Sequence, residues 1–125
     1  MTEVRPRGKT RMPAEWEPHR STWLSWPHNR ETWPGAFEAA EKAYARLVQV
    51  IADSEPVDIN VLSEDHRTRV RALVGPTRYP IRTHLIPTND AWCRDHSAVL
   101  VHEAEGGLAA VDFRYNAWGG KYPPF

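Results

Sequence analysis

The sequence has one cysteine, no net charge and no long apolar run, and each absence excludes a class of protein. A single cysteine, Cys93, excludes an internal disulfide and fits a reducing compartment. Sixteen basic and sixteen acidic residues sum to a formal charge of zero, so no overall field attracts nucleic acid or an anionic membrane. No apolar run approaches the roughly 20 residues of a membrane span, and no apolar signal-peptide core is found at the N-terminus. We therefore expect a soluble, cytoplasmic protein that binds neither nucleic acid nor a membrane.

Tryptophan and proline are the residues in excess, at six and eleven of 125. Four of the tryptophans lie between residues 16 and 33, interleaved with prolines, which is typical of an aromatic-packed segment with little helix.

Residues 1–11 are basic and almost free of apolar side chains, so they predict a flexible tail, with a targeting peptide as the less favoured alternative. A chain of 125 residues is a normal size for one domain, but we expect residues 12–125 to be an incomplete portion of one.

Apolar spacing along the chain predicts alternating strands and helices. The predicted strands are 21–26, a half-buried 57–62 with Asp58 and Asn60 facing solvent, 79–85, and a hairpin of 98–102 and 108–113. One predicted helix runs from Pro34 and Gly35 to about Ser54, and its apolar face consists of Phe37, Ala40, Tyr44, Leu47, Val48 and Ile51. A second begins after the capping residue Ser63 and ends at Gly75 and Pro76.

This order of elements predicts an α/β fold in which helices cover a sheet. Residues 116–125 predict no regular element, because glycines and prolines interrupt them. The aromatic residues there have no later element to cover them, so we expect the chain to be the front part of something longer.

Ionisable groups concentrate in residues 89–96, between two predicted strands. Two acids, Asp90 and Asp95, lie close to Arg94 and to the large apolar ring of Trp92. Rigid strand ends followed by polar loops commonly carry functional sites. The alternative is a solvated loop in which Arg94 and Asp95 form an ion pair.

Three motifs, taken together, resemble the N-terminal third of agmatine deiminases and the related bacterial-type peptidylarginine deiminases. They are Met12-Pro-Ala-Glu-Trp-Glu-Pro-His, Asn89-Asp-Ala-Trp-Cys-Arg-Asp and Asn116-Ala-Trp-Gly-Gly-Lys. The resemblance covers Met12 to Phe125. It implies a β/α propeller called the pentein fold, of which this chain supplies roughly the first ββαβ-type module and part of the next. It also implies hydrolysis of agmatine to N-carbamoylputrescine and ammonia, in putrescine and polyamine biosynthesis.

The resemblance implies roles for three residues of this chain. Asp95 would bind the substrate guanidinium, Trp92 would wall the pocket, and the loop with Trp118 would come near the site. The nucleophilic cysteine and the general-base histidine of the family are expected beyond Phe125, so no catalytic residue and no activity are expected in this chain alone. The resemblance implies a small-molecule guanidine as substrate, with no metal and no organic cofactor, and it leaves a homo-oligomer open.

Cys93 is not favoured as a nucleophile. It occupies a place where relatives carry an aliphatic residue, and an extended backbone would point Cys93 and His96 to opposite sides. We expect a small buried hydrophobic role for it. The sequence also departs from the family after Asp95. Relatives usually follow the Arg-Asp pair with one residue and then Gly-Pro, whereas this chain has His96-Ser97-Ala98. This difference leaves the pose of Asp95 open.

Two further questions stay open at the level of sequence. Histidines 84, 96 and 102 with Asp112 have no recognised metal-ligand spacing, so we expect solvent-facing strand histidines. Agmatine is favoured over peptidylarginine because the third motif offers Ala117 and Trp118 rather than arginines, although Lys121 could read a carboxylate. A non-catalytic cation-binding domain is the alternative from another class.

Overall fold

The computed structural model describes residues 9–122, and the chain divides into two units. We call residues 19–93 the parallel unit, and residues 9–18 with 94–122 the antiparallel unit. The strands are β1 (Thr10–Arg11), β2 (Thr22–Ser25), β3 (Val57–Val61), β4 (Ile81–Leu85), β5 (Val99–Glu103) and β6 (Leu108–Val111). The helices are α1 (Phe37–Ile51), α2 (Glu64–Val74) and the single turn α3 (Cys93–His96), and a 3-10 turn spans Arg30–Thr32. Within residues 9–122 no helix combines the length and the hydropathy that a membrane crossing requires.

The parallel unit is a three-stranded sheet in the order β2-β3-β4, with all strands parallel. Thr22 pairs with Val57, and Val57 pairs with Ile81. Helix α1 connects β2 to β3 and helix α2 connects β3 to β4, because parallel neighbours require a crossover of at least a dozen residues. The predicted α/β class and the order β, α, β, α, β are confirmed for this unit.

Helix α1 packs on the core largely with the predicted face, because Phe37 and Val48 are buried and Tyr44 and Ile51 pack against the core cluster. Leu47, which we assigned to the core, is 46% exposed, whereas Glu41 and Ala45 are buried. Glu41 can lie in the core because its carboxylate accepts hydrogen bonds from the Trp26 indole at 3.1 Å and from Arg69 Nε at 2.8 Å. These two bonds replace water around a charge that would otherwise be costly to bury.

The central strand β3 is buried along its whole length, which contradicts the predicted half-buried pattern. Asp58 and Asn60, expected to face solvent, are 3% and 7% exposed. Side chains of the neighbouring strands cover them: Arg82 and His84 bind Asp58, and the Trp23 indole donates to Asn60 at 3.0 Å. The two polar residues of β3 are therefore buried by their own hydrogen-bond partners.

Helix α2 confirms both predicted ends. The hydroxyl of Ser63 accepts a 3.1 Å hydrogen bond from the backbone N–H of His66, which is the N-cap geometry. Gly75 ends the helix with a φ of 68°, and its N–H binds the carbonyl of Arg71 at 3.0 Å. A residue with a side chain would be strained at this φ, so glycine is the natural terminator.

The antiparallel unit is a sheet in the order β1-β5-β6. Its β5-β6 hairpin confirms the predicted pair of strands, and Gly106 turns the chain with a φ of 90°. Strand β1 was not predicted: Thr10 and Arg11, assigned to the flexible tail on residues 1–11, pair with β5 instead. Residues 1–8 of that predicted tail lie outside the described residues.

The described chain closes with a left-handed turn where we predicted no regular element. Ala117, Trp118, Gly119 and Gly120 all have positive φ, from 48° to 83°. The backbone N–H groups of Gly120 and Lys121 bind carbonyls four residues earlier, at 2.6 and 3.1 Å. Four successive left-handed residues form a closed turn, which short-range sequence patterns give little reason to expect.

Candidate functional site

The loop of residues 89–93, which carries Trp92, is held at its start by a carboxylate. Asp90 Oδ2 accepts a 2.6 Å hydrogen bond from Thr32 Oγ1, and Asp90 Oδ1 accepts one of 2.7 Å from the backbone N–H of Ala91. Thr32 belongs to the 3-10 turn that follows β2, and Asp90 belongs to the loop that follows β4. Both lie beyond the carboxyl ends of parallel strands, where α/β sheets commonly bind ligands.

Trp92 extends from this tied loop with half of its surface in solvent, at 50% exposure. The next residue, Cys93, is half-buried, and its thiol donates to the carbonyl of Trp23 at 3.4 Å. Cys93 begins the helical turn α3, so the extended backbone that we assumed around it is wrong. A thiol directed at a main-chain carbonyl serves as a packing and hydrogen-bonding group.

Asp95 lies exposed on α3, and the cation beside it in sequence is bound elsewhere. The guanidinium of Arg94 pairs with Glu15. Within residues 9–122 the carboxylate of Asp95 makes no hydrogen bond or ion pair. An ion pair between Arg94 and Asp95 was the alternative reading of this cluster, and the structure contradicts it. The Asp95 carboxylate is therefore open to an external cation.

Four aromatic rings form a continuous series in the antiparallel unit, which we call the ring ladder. Ring centroids lie 6.4 Å apart for His96 and Tyr115, 5.7 Å for Tyr115 and Trp118, and 5.8 Å for Trp118 and Tyr122. Each contact is edge to face, the geometry that aromatic quadrupoles favour. His96 Nε2 is buried and has no hydrogen-bond partner in the described part of the chain. His96 is thus a packed ring, which corrects the prediction of a solvent-facing strand histidine.

Trp118 is presented by the left-handed turn, which is a strained backbone. Its φ and ψ are 54° and 47°, and Ala117 before it has a φ of 48°. This conformation costs roughly 1–2 kcal/mol for each residue that carries a side chain. Hydrogen bonds offset part of the cost: the Asn116 side chain accepts from Gly119 N–H at 3.0 Å, and Ala117 is only 2% exposed. The indole of Trp118 remains 47% exposed.

A carboxylate network occupies the opposite face of the parallel sheet from the apolar core. Asp58 accepts from Arg82 Nε at 2.8 Å, from Arg82 Nη2 at 2.5 Å and from His84 Nε2 at 2.8 Å. Hydrogen bonds, from Arg82 above all and also from His84 and Ser21, hold the pKa of the Asp58 carboxyl well below its usual range, although burial opposes them. Trp23 stacks on His84, with ring centroids 4.7 Å apart. This network supports the sheet.

His84 is therefore half-buried and bound to a carboxylate, which corrects its assignment as a solvent-facing histidine. Between Lys9 and Tyr122 the structure contains no group of three histidine, cysteine or acidic side chains placed to hold a metal ion.

Sequence reasoning found the residues of the cluster and missed their partners. Asp90 was singled out, but Thr32 was not, because 58 residues separate the two ends of their hydrogen bond. Glu15 was quoted only as part of a motif, and Tyr115 was not considered. No local pattern marks either residue, since each acts through a contact that only the folded chain creates.

Comparison with known proteins identifies relatives along nearly the whole chain. The sequence profile of the family described as Porphyromonas-type peptidyl-arginine deiminase matches residues 11–125. Agmatine deiminase of Stutzerimonas stutzeri is 39% identical over 110 residues, which cover 88% of this chain and 29% of that protein. Agmatine deiminase of Pseudomonas aeruginosa is 38% identical over the same coverage. The chain thus spans about a third of the length of these curated relatives.

Solved structures agree with the sequence comparison. A Cys-to-Ser variant of agmatine deiminase from C. jejuni, with substrate bound, matches with a TM-score of 0.78 and 25% identity. The match covers 98% of this chain and 35% of that one. Sequence and fold therefore each match this chain to about a third of the relative's length.

Proposed function

The chain belongs to the Porphyromonas-type peptidyl-arginine deiminase family, and we propose that a protein containing it hydrolyses the guanidine group of agmatine. The products are N-carbamoylputrescine and ammonia. In this proposal N-carbamoylputrescine then enters putrescine and polyamine synthesis. In this proposal the chain supplies the carboxylate that binds the guanidinium, while the remaining length of the relatives supplies the nucleophile and general base. The propeller arrangement of repeated modules is part of the same proposal.

The observation that carries the proposal is the state of the Asp95 carboxylate. It is exposed on α3, and its neighbour Arg94 is engaged by Glu15. A guanidinium is protonated at any ordinary pH and is planar, so a carboxylate can bind it through two parallel N–H···O bonds. A carboxylate already neutralised by an internal arginine would have little attraction left for such a cation.

Two indole rings provide the apolar part of the proposed binding site. Trp118 belongs to the same unit as Asp95 and is 47% exposed, and Trp92 extends from the loop tied by Asp90. An indole face stabilises a cation by about 0.5–2 kcal/mol, more as water is removed. We therefore propose that both rings contact the substrate and keep water from its guanidinium.

The reaction proceeds through a covalent intermediate on a cysteine outside this chain. Its thiolate attacks the central guanidinium carbon, the acid/base group outside this chain protonates one nitrogen, and the carbon–nitrogen bond breaks to release ammonia and leave a thiouronium on sulfur. The same group then takes a proton from the water that attacks this carbon, the carbon–sulfur bond breaks, and the thiolate returns as the ureido product departs. Asp95 contributes by fixing the plane of the guanidinium, so that its carbon faces the nucleophile.

Peptidyl-arginine is the second candidate substrate, because the matched family carries that description. A peptide presents amide and carboxylate groups at the far end of the side chain, whereas agmatine presents only an ammonium. The left-handed turn offers Ala117, which is 2% exposed, and Trp118, and neither can pair with an anion. Lys121 is exposed next to them and is the residue that could. These features favour agmatine.

The test uses a protein that contains this chain together with the segments that its relatives have in addition, which we call the full-length protein. This protein is assayed with agmatine and with an arginine peptide. Release of ammonia with formation of N-carbamoylputrescine supports the proposal. Binding of agmatine without ammonia release identifies a non-catalytic cation-binding protein, and faster conversion of the peptide makes the second candidate the function.

The role of Asp95 is tested by Asp95→Asn, with Asp112→Asn as the matched control. Both aspartates are exposed in the antiparallel unit, so neither change should alter the free energy of unfolding by more than about 0.5 kcal/mol. Loss of the charge that faces the guanidinium should lower kcat/KM by about a hundredfold or more. Turnover of Asp95→Asn equal to that of Asp112→Asn removes Asp95 from the site.

A further inference from the structure

The ring ladder joins two elements that the proposed function uses separately. Asp95 lies on α3 immediately before His96, the first ring, and Trp118 is the third ring on the left-handed turn. Tyr115 lies between them and contacts both, with its ring centroid 6.4 Å from His96 and 5.7 Å from Trp118. All of these residues belong to the antiparallel unit.

We infer that the ring of Tyr115 is a positioning group, which fixes the left-handed turn and its indole Trp118 at a set place relative to α3 and Asp95. The binding roles of Asp95 and Trp118 rest on the proposed function. The support that Tyr115 gives to the turn is inferred from its ring contacts with His96 and Trp118 and does not depend on the proposed function. Tyr115 acts through Trp118 and is not itself a substrate contact in this inference.

The backbone of the turn explains why such support is needed. Ala117 and Trp118 both hold a left-handed conformation that residues with side chains disfavour, so the surroundings must over-determine it. Among residues 9–122, Trp118 has two ring neighbours, of which Tyr122 is 65% exposed while Tyr115 is half-buried. The more buried ring is the more rigid support, and it is the one that leads back to α3.

The contact is made by the ring edge and face, which gives the inference a chemical signature. Phenylalanine keeps the ring and its quadrupole, so Tyr115→Phe should preserve the support. Tyr115→Leu removes the ring and should release the turn. Phe113→Leu is the matched control, because Phe113 is 69% exposed and has no ring contact within residues 9–122.

Hydrogen exchange of the full-length protein tests the turn without reference to activity. The reporting amides are those of Gly120 and Lys121, which are bonded to the carbonyls of Asn116 and Ala117. We expect Tyr115→Leu to accelerate exchange in a peptide covering 116–122 by about tenfold, while Tyr115→Phe and Phe113→Leu leave it unchanged. Unchanged exchange in Tyr115→Leu overturns the inference. If that variant does not fold, Tyr115→Met fills the space without a ring and takes its place.

Kinetics with agmatine then test the coupling to the site. We expect Tyr115→Leu to raise KM by about tenfold with a smaller change in kcat, and Tyr115→Phe to restore it. Because Tyr115 acts through Trp118, Tyr115→Leu should add less than about twofold in a Trp118→Leu background. Fully additive effects, or a loss in Tyr115→Phe as large as in Tyr115→Leu, overturn the inference.

The two readouts separate this inference from the proposed function. Accelerated exchange in Tyr115→Leu supports the positioning role even if the wild-type protein hydrolyses no guanidine, and in that case only the proposed function fails. Agmatine hydrolysis with unchanged exchange and unchanged KM in Tyr115→Leu retains the proposed function and removes the positioning role.

Discussion

The hydroxyl of Thr32 donates a 2.6 Å hydrogen bond to the carboxylate of Asp90, across 58 residues of sequence. Thr32 lies on the 3-10 turn after β2, and Asp90 opens the loop that carries Trp92 after β4. The second carboxylate oxygen of Asp90 accepts from the N–H of Ala91 within the loop itself. One side chain thus fixes the loop both to its own backbone and to the neighbouring connection of the sheet.

Thr32→Val should loosen this loop with little effect on the fold. Valine has the shape of threonine but lacks the hydroxyl. The free energy of unfolding should therefore fall by no more than about 3 kcal/mol, because the Asp90 oxygen loses its hydrogen bond. If Trp92 contacts the substrate, as we propose, displacing it should raise the KM for agmatine by about tenfold and leave kcat less affected. Steady-state kinetics of the full-length variant measure both.

Thr68→Val is the control for this prediction. The hydroxyl of Thr68 binds the carbonyl of Glu64 on the exposed side of α2, so the same chemical change is made away from the loop. An unchanged KM in Thr32→Val would show that the hydrogen bond is dispensable for substrate binding.

The elements with local signals were predictable from sequence. Ser63 and Gly75 mark the ends of α2 by chemistry that operates within four residues, and the hairpin of β5 and β6 follows from alternation around a glycine turn. The candidate loop was found for the same reason, since Asp90, Trp92 and Asp95 are neighbours in the chain.

The features that were missed depend on contacts between distant residues. Asp58 and Asn60 gave the alternation of a half-buried strand, but β3 lies between two parallel neighbours whose long side chains cover its polar face. Glu41 was not among the residues predicted for the core, because the sequence does not show that Trp26 and Arg69 meet its carboxylate. A period-two or period-3.6 pattern records which residues are apolar, not which polar residues find partners.

Asp58 should make the stability of the parallel unit depend on acid pH. Its folded-state pKa is depressed well below the unfolded value of about 3.9, chiefly by the hydrogen bonds from Arg82. The stabilisation is therefore present above the unfolded pKa, and it is lost as the pH falls through the folded pKa. Half of the Arg82 side chain is exposed, so solvent screening limits the contribution of the network to about 2 kcal/mol at pH 7.

Asp58→Asn should remove that contribution and flatten the pH dependence. Urea unfolding of the full-length protein between pH 7 and pH 2, with and without the substitution, measures the difference. The difference between the wild-type and Asp58→Asn stabilities should shrink steadily as the pH falls below the unfolded pKa of about 3.9, and Asp53→Asn, a change at an exposed carboxylate of the same unit, should follow the wild type throughout. A constant difference at every pH would mean that the substitution at Asp58 perturbs packing rather than charge.

Gly119, in the third sequence motif, should be replaceable only at a cost in stability. Its φ is 83° and its ψ is 34°, so a side chain there is strained even though an added Cβ would meet no atom within 4 Å. Gly119→Ala should lower stability by about 1 kcal/mol, since the penalty comes from the backbone and not from a collision.

Gly107→Ala is the opposite case, because its φ is not in the left-handed range and its Cβ would approach only the flexible carboxylate of Glu103, at 2.8 Å. That carboxylate can move into solvent, so the change should stay within about 0.5 kcal/mol. Thermal unfolding of the two full-length variants separates the effects, and equal losses would contradict a specific penalty from the left-handed backbone at Gly119.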